Sequence, residues 1–144
     1  MKDKTIEQEL SSLDTFIKLV QTAENVSACV YAHLKDFGIT VSQFGVLEAL
    51  YTKGAMCQKD IAEIIRKTTG NMTTVIDNLE KNGLAERKKD QSDRRFFTVS
   101  ITDKGMDVLN MVFDRYKNNV EQVMKDLDAE DRQNLVSILG KLRY

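Results

Sequence analysis

Apolar residues in the first part of the chain recur every three or four positions: Leu10, Leu13, Phe16, Ile17, Val20, Val26, Val30 and Leu34. That spacing puts them on one helical face and predicts a long amphipathic helix from about Ile6 to Phe37. Gly38 ends it. Thr40-Val41-Ser42-Gln43 then has the form of a capping box, opening a second helix that carries Phe44, Leu47 and Leu50 and runs to Gly54. Ile61, Ile64 and Ile65 mark a short third helix. Thr68 is placed to cap a fourth, whose inward stripe Met72, Val75, Ile76 and Leu79 has i, i+3, i+4, i+7 spacing.

After Gly83 the period changes. Phe97, Val99 and Ile101 alternate with Phe96, Thr98 and Ser100, the two-residue period of a strand. Leu84–Arg87 is its expected partner, with the polar segment Lys88–Arg95 as the loop between them. Three helices followed by a short charged hairpin is the order of a winged helix. Two further helices are expected, one from Thr102 to about Leu127 and one capped by Asp128 that carries Leu135, Ile138, Leu139 and Leu142. With the first helix, these have more apolar surface than a small winged module needs to cover, and the excess reads as a dimer interface. The expected fold is therefore mainly α with a small β-hairpin wing: one domain over 1–144. Its winged-helix lobe spans 38–105, and the expected dimerisation helices are 1–37 plus 106–144.

Composition narrows the class. Hydrophobic residues make up 42% and charged residues 30% of the 144, a balance that supports a buried core under a solvated surface. No apolar run approaches the roughly 20 residues that span a bilayer, and the polar start at Met1-Lys2-Asp3-Lys4 is unlike a secretion signal. These features predict a soluble cytoplasmic protein without a membrane partner. Cys29 and Cys57 form no CxxC pair and read as thiols. The net charge of −1 says little about nucleic acid, and its distribution says only slightly more: residues 55–104 carry 10 Lys/Arg against 8 Asp/Glu, the remainder 11 against 14.

The fourth helix carries the chemistry. With Met72, Val75, Ile76 and Leu79 turned inward, Thr69, Gly70, Asn71, Thr73, Thr74 and Asp77 face outward. Asn pairs bidentately with adenine, and Thr bonds a base edge or contacts a thymine methyl. Gly70 lets backbone approach a phosphate, which a helix N-terminus attracts. Arg66 and Lys67 just precede the helix, placed for phosphate oxygens, and Thr68 is counted with them. The hairpin adds Arg87, Lys88, Lys89, Arg94 and Arg95, five cations in nine residues. Arginine inserted into a narrow minor groove is a recognised mode of shape reading. Arg94 is the candidate for insertion, and Asp93 is expected to tether a neighbouring arginine.

Ile61-Ala62-Glu63, Ile76-Asp77-Asn78-Leu79-Glu80, Gly83-Leu84, Asp93-Arg94-Arg95 and Ile101-Thr102-Asp103-Lys104-Gly105 recur in this order in the signature region of the MarR family of bacterial regulators. Val41–Leu47 resembles that family's second helix, so motifs cover roughly residues 38–105. The resemblance implies a homodimeric, sequence-specific double-stranded DNA-binding regulator on a palindromic operator, with recognition helices in successive major grooves and wings in flanking minor grooves. It also implies repression of a nearby gene, released by a small aromatic or anionic effector, with no cofactor or enzymatic activity. By the same analogy Val30, Tyr31, His33, Leu34, Phe44, Leu47, Phe113 and Tyr116 are the candidate effector pocket.

Other readings are weaker. Peroxide-sensing relatives use a first-helix cysteine, but Cys29 stands closer to Ser42-Gln43-Phe44 than theirs, and a small buried thiol is commonly inert. Cys29 and His33 have chelating spacing without a third ligand, so no metal is expected. A winged-helix protein-interaction module is the alternative from another class, and the basic tip argues against it. One histidine, and neither a nucleophile elbow nor a phosphate loop, argue against an enzyme.

Overall fold

The computed structural model describes residues 10–66 and 69–144, and of Thr69 the backbone only. Its elements run α1 Ser12–Tyr31, a 3-10 stretch Ala32–Phe37, α2 Val41–Lys53, β1 Met56–Cys57, α3 Gln58–Ile64, α4 Thr69–Lys81, β2 Ala85–Lys89, β3 Phe97–Ile101, α5 Asp103–Met124 and α6 Ala129–Leu139. Helices α1, α2, α5 and α6 start where side chains supply acceptors for their free N–H groups. Ser11, Thr40 and Asp128 form capping boxes with Asp14, Gln43 and Asp131, and Thr102 accepts the Gly105 N–H at 3.0 Å.

Over the described residues the single helix expected from Ile6 to Phe37 is instead α1 plus the 3-10 stretch, Ile6–Glu9 lying outside them. Ser11 starts α1, and the backbone tightens after Tyr31 without any glycine or proline to signal it. The chain is held there by the buried His33. Its Nδ1 stands 3.0 Å from both the Val30 carbonyl oxygen and the amide nitrogen of Asn119 in α5, and its Nε2 stands 3.3 Å from the Val112 carbonyl oxygen. The Asn119 amide also donates to the Val30 carbonyl (3.0 Å). Both ring nitrogens are thereby occupied, and no metal-holding cluster exists among the described residues.

The sheet order is β1-β3-β2, antiparallel throughout, with Met56 opposite Val99 and Arg87 also opposite Val99. β1 was not expected; two residues are too few to show a period. The first arm of the hairpin also reaches further toward the tip than expected, Ala85–Lys89 rather than Leu84–Arg87. Asp90 donates its N–H to the Phe96 carbonyl (2.9 Å), which carries the pairing further toward the tip.

The core lies where α2, α3, α4, the sheet and α5 meet. Phe44, Val46, Leu47, Ile61, Met72, Ile76, Leu79, Val99 and Val112 are its fully buried members. Each is worth about 1.5–3 kcal/mol of apolar burial. Val75 is half-buried at the edge of its stripe. The start of α5 is locked onto the end of α4 by the segment Ile101–Gly105. The Thr102 hydroxyl donates to the Gly83 carbonyl (2.6 Å), its N–H to Leu84 O (3.1 Å), and Lys104 Nζ to Asn82 O (2.9 Å). A Cβ on Gly105 would stand 2.0 Å from the Leu84 carbonyl oxygen, so only glycine fits this crossing.

Outside that core the helices are poorly covered. Leu13 and Phe16 of α1 are 66% and 61% exposed, Val136 and Ile138 of α6 are 70% and 59% exposed, and α6 has no buried residue at all.

Candidate nucleic-acid interface

Helix α4 presents Gly70, Asn71, Thr73, Thr74 and Asp77 to solvent opposite its buried stripe of Met72, Ile76 and Leu79. Lys67, Thr68 and the Thr69 side chain lie outside the described residues. Arg66 is exposed at the end of α3 with φ 52°, and its guanidinium stands 5.9 Å from the Tyr144 ring centre. A Cβ at Gly70 would meet nothing within 4 Å. Its lack of a side chain therefore leaves open space on the outer surface and serves no internal packing.

Two of the expected DNA contacts are joined to each other. Arg87 of β2 reaches back to α4, pairing with Asp77 and with Glu80 (2.9 Å), and its N–H also donates to Glu80 (3.1 Å). Its other guanidinium nitrogen lies 3.5 Å from the Gln58 amide oxygen, and Gln58 in turn donates to the Thr73 hydroxyl (2.6 Å). Asp77 and Arg87 are thus internal ties between the wing and the recognition helix. Thr73 is held in place from α3. Gln58 and Glu80 were missed in the sequence because Gln58 is 15 residues from Thr73 and 29 from Arg87, and no local period joins them.

The wing tip is organised by two aspartates. Asp90 accepts from the N–H and hydroxyl of Ser92 and from the Asp93 N–H (3.1 Å). The Ser92 bonds, with the Asp93 N–H, hold its carboxyl below the usual aspartate range. Asp93 clasps the Arg95 guanidinium (2.8 and 3.0 Å) and N–H, and this partner lowers its pKa while raising that of Arg95. Lys88 pairs with Glu86 at 2.7 Å. Arg94 is exposed at the tip and makes no ion pair with any described residue, and Lys89 stands exposed at the end of β2. Among the described residues, the tip therefore offers one unpaired arginine on a loop fixed by its neighbours.

The candidate effector residues come together, but as packed core. Tyr31, Phe44, Phe113 and Tyr116 form one aromatic cluster with ring centres 5.3–6.2 Å apart, packed with the buried Leu34 and Leu47, while Val30 is buried outside that core cluster. Burial raises the Tyr116 hydroxyl pKa. His33 is engaged in the backbone bonds described above. The enclosed space beside the cluster is a cleft of about 90 Å³ between α2 and α5, lined by Glu48, Tyr51, Thr52, Leu109, Asn110 and Phe113. Cys29, expected to be buried, is exposed on α1 because its position falls off the apolar stripe.

Comparison with known proteins agrees with this arrangement. The MarR family profile matches residues 39–96, from the end of the 3-10 stretch to the wing tip. The chain is 30% identical to the HTH-type transcriptional regulator MhqR of Bacillus subtilis over 131 residues, 91% of this chain and 90% of that protein. Its fold is similar to that of a mutant MarR from E. coli complexed with operator DNA (TM-score 0.78, 20% identity, 91% of this chain and 97% of that one). It is likewise similar to Bordetella bronchiseptica BpsR, whose DNA binding is regulated by 6-hydroxynicotinic acid (TM-score 0.77, 24% identity, 85% and 88% covered).

Proposed function

Because the chain belongs to the MarR family of DNA-binding, winged-helix transcriptional regulators, we propose that it works as a homodimeric repressor of a palindromic operator. In this reading α4 of each protomer lies in a major groove and each wing enters the adjacent minor groove. Gly70 and Asn71 are placed near the start of α4, where a recognition helix meets base edges and phosphates. Arg94 supplies the minor-groove cation, and Arg66, Lys67, Lys88 and Lys89 contact phosphates. The observation that carries the reading is the pairing of a solvent-facing α4 surface with a wing tip whose one unpaired arginine is held out by Asp90 and Asp93.

The dimer reading rests on α1 and α6, where Leu13, Phe16, Val136 and Ile138 stay largely exposed among the described residues of one chain. We propose that residues 1–37 and 106–144 of two copies cover each other there. Effector control is proposed at the aromatic cluster, where the cleft bordered by Phe113 gives a small aromatic acid an edge from which to part the rings. The test is binding to a duplex from the region upstream of its own gene and to a scrambled duplex, across a salt series and with a panel of aromatic acids. Tight, salt-sensitive binding to the first alone, lost on adding one of the acids, is expected. Equal weak binding to both duplexes counts against sequence-specific repression.

A further inference from the structure

The wing carries one feature that cations do not explain. Phe96 and Phe97, consecutive residues where the tip joins β3, are 57% and 47% exposed. Val99, two residues along the same strand, is fully buried. Phe97 shares the face of Val99 but stands beyond the end of the core, opposite Lys89. Phe96, one residue earlier, takes the opposite face, its carbonyl closing the hairpin with the Asp90 N–H. By strand alternation the neck of the wing therefore carries an uncovered phenyl ring on each face, two and three residues beyond Arg94.

We propose that Phe96 and Phe97 are DNA contacts, each lying against the deoxyribose carbons of one wall of the minor groove that Arg94 enters. The inference rests on the proposed placement of the wing. The minor groove is about 6 Å wide, and paired strands are already about 4.8 Å apart before side chains are counted. An arginine side chain enters such a groove, but the ribbon that carries it stops at the rim. There its two faces meet the two sugar-phosphate walls, whose carbons offer an apolar surface between the phosphates. Lys89 stands opposite Phe97 and puts a cation beside that ring, matching the alternation of sugar and phosphate along a strand. The rings supply a contact that releases no counterions, so they add affinity without adding salt dependence.

The test uses the tightest duplex that the wild-type protein selects from a random pool. Failure of the wild-type protein to select any duplex overturns the DNA-binding reading itself, whereas the phenylalanine contacts stand or fall on the variants. The variant with both Phe96→Ala and Phe97→Ala is expected to lose about tenfold in affinity with an unchanged slope of log K against log salt. Arg94→Ala is expected to lower that slope by about one unit. A double variant that binds like wild type overturns the proposal, as does one that loses affinity only because it self-associates less. Should the double variant fold poorly, p-benzoylphenylalanine in place of Phe96 serves instead, since its excited ketone abstracts hydrogen from nearby C–H bonds. Crosslinking to the duplex on irradiation supports the contact; irradiation without crosslinking overturns it.

Discussion

Leu79 in α4 and Ile138 in α6 are isomeric side chains on amphipathic helices, yet Leu79 is fully buried and Ile138 is 59% exposed. The contrast extends to their surroundings. The lobe from α2 to β3 closes on itself, with α2, α3, the sheet and the start of α5 all turned toward one core. Helices α1 and α6 also carry apolar side chains, but α6 buries none of its residues and α1 only Val30 at its end, leaving Leu13, Phe16, Val136 and Ile138 largely exposed. An amphipathic pattern states which face is to be buried; it does not state whether the cover comes from the same chain or another. The lobe proposed to read DNA is thus complete in one copy, while the helices proposed to pair copies are not.

The largest effect is expected inside the lobe. Leu79→Ala removes a fully buried side chain and should cost about 2–5 kcal/mol in urea unfolding, with DNA binding lost as the lobe loosens. A cost near zero would break the contrast from the covered side. From the uncovered side, Ile138→Asp would be nearly neutral for an isolated chain. With a second copy seated on α6 it should raise the dimer dissociation constant about 10- to 100-fold, or about 1.4–2.8 kcal/mol. Sedimentation across a concentration series reads this, and an unchanged mass distribution places the cover elsewhere.

Gly70→Ala separates folding from function within the lobe. A methyl there meets open space, so α4 should gain up to about 0.5–1 kcal/mol of stability while affinity for duplex falls. A gain in both would show that the backbone of Gly70 makes no close approach to DNA. The smallest effect concerns the wing clasp. Arg95 depresses the Asp93 pKa, so the clasp contributes above the ordinary aspartate range and is lost as pH falls through the lowered value. The Arg95 Nε–H resonance should therefore persist at about pH 4, near the pKa of about 3.9 of a free aspartate. A midpoint at or above that value contradicts the clasp.

Much of this was legible in the chain. The glycines at 38, 54 and 83 all take positive φ where helices end, the Thr40 and Asp128 caps form, and three of the four residues in the α4 stripe are fully buried. What escaped did so for physical reasons. A 3-10 stretch of six residues drifts too little from the helical period to be told apart by Val30 and Leu34. The outer half of the hairpin overhangs the core, so Lys88 and Lys89 face water on both sides and show no alternation. Asp77 and Arg87 are ten residues apart, and only the turn of the chain through Gly83 brings them together. For the same reason an outward polar residue on α4 reads equally as a DNA contact or as a tie to the wing. The aromatic residues at 31, 44, 113 and 116 do come together, although periodicity does not tell a lined pocket from a filled core.

Hydroxyl-radical footprinting of the complex on a selected duplex examines both regions at once, because it reports minor-groove sugars on each strand. Protections in two patches related by a dyad, flanking two major grooves about one helical turn apart, are expected from paired α1 and α6 helices carrying two wings. A single patch without a dyad, at protein concentrations that saturate the duplex, would contradict the pairing of two DNA-reading lobes through the uncovered helices.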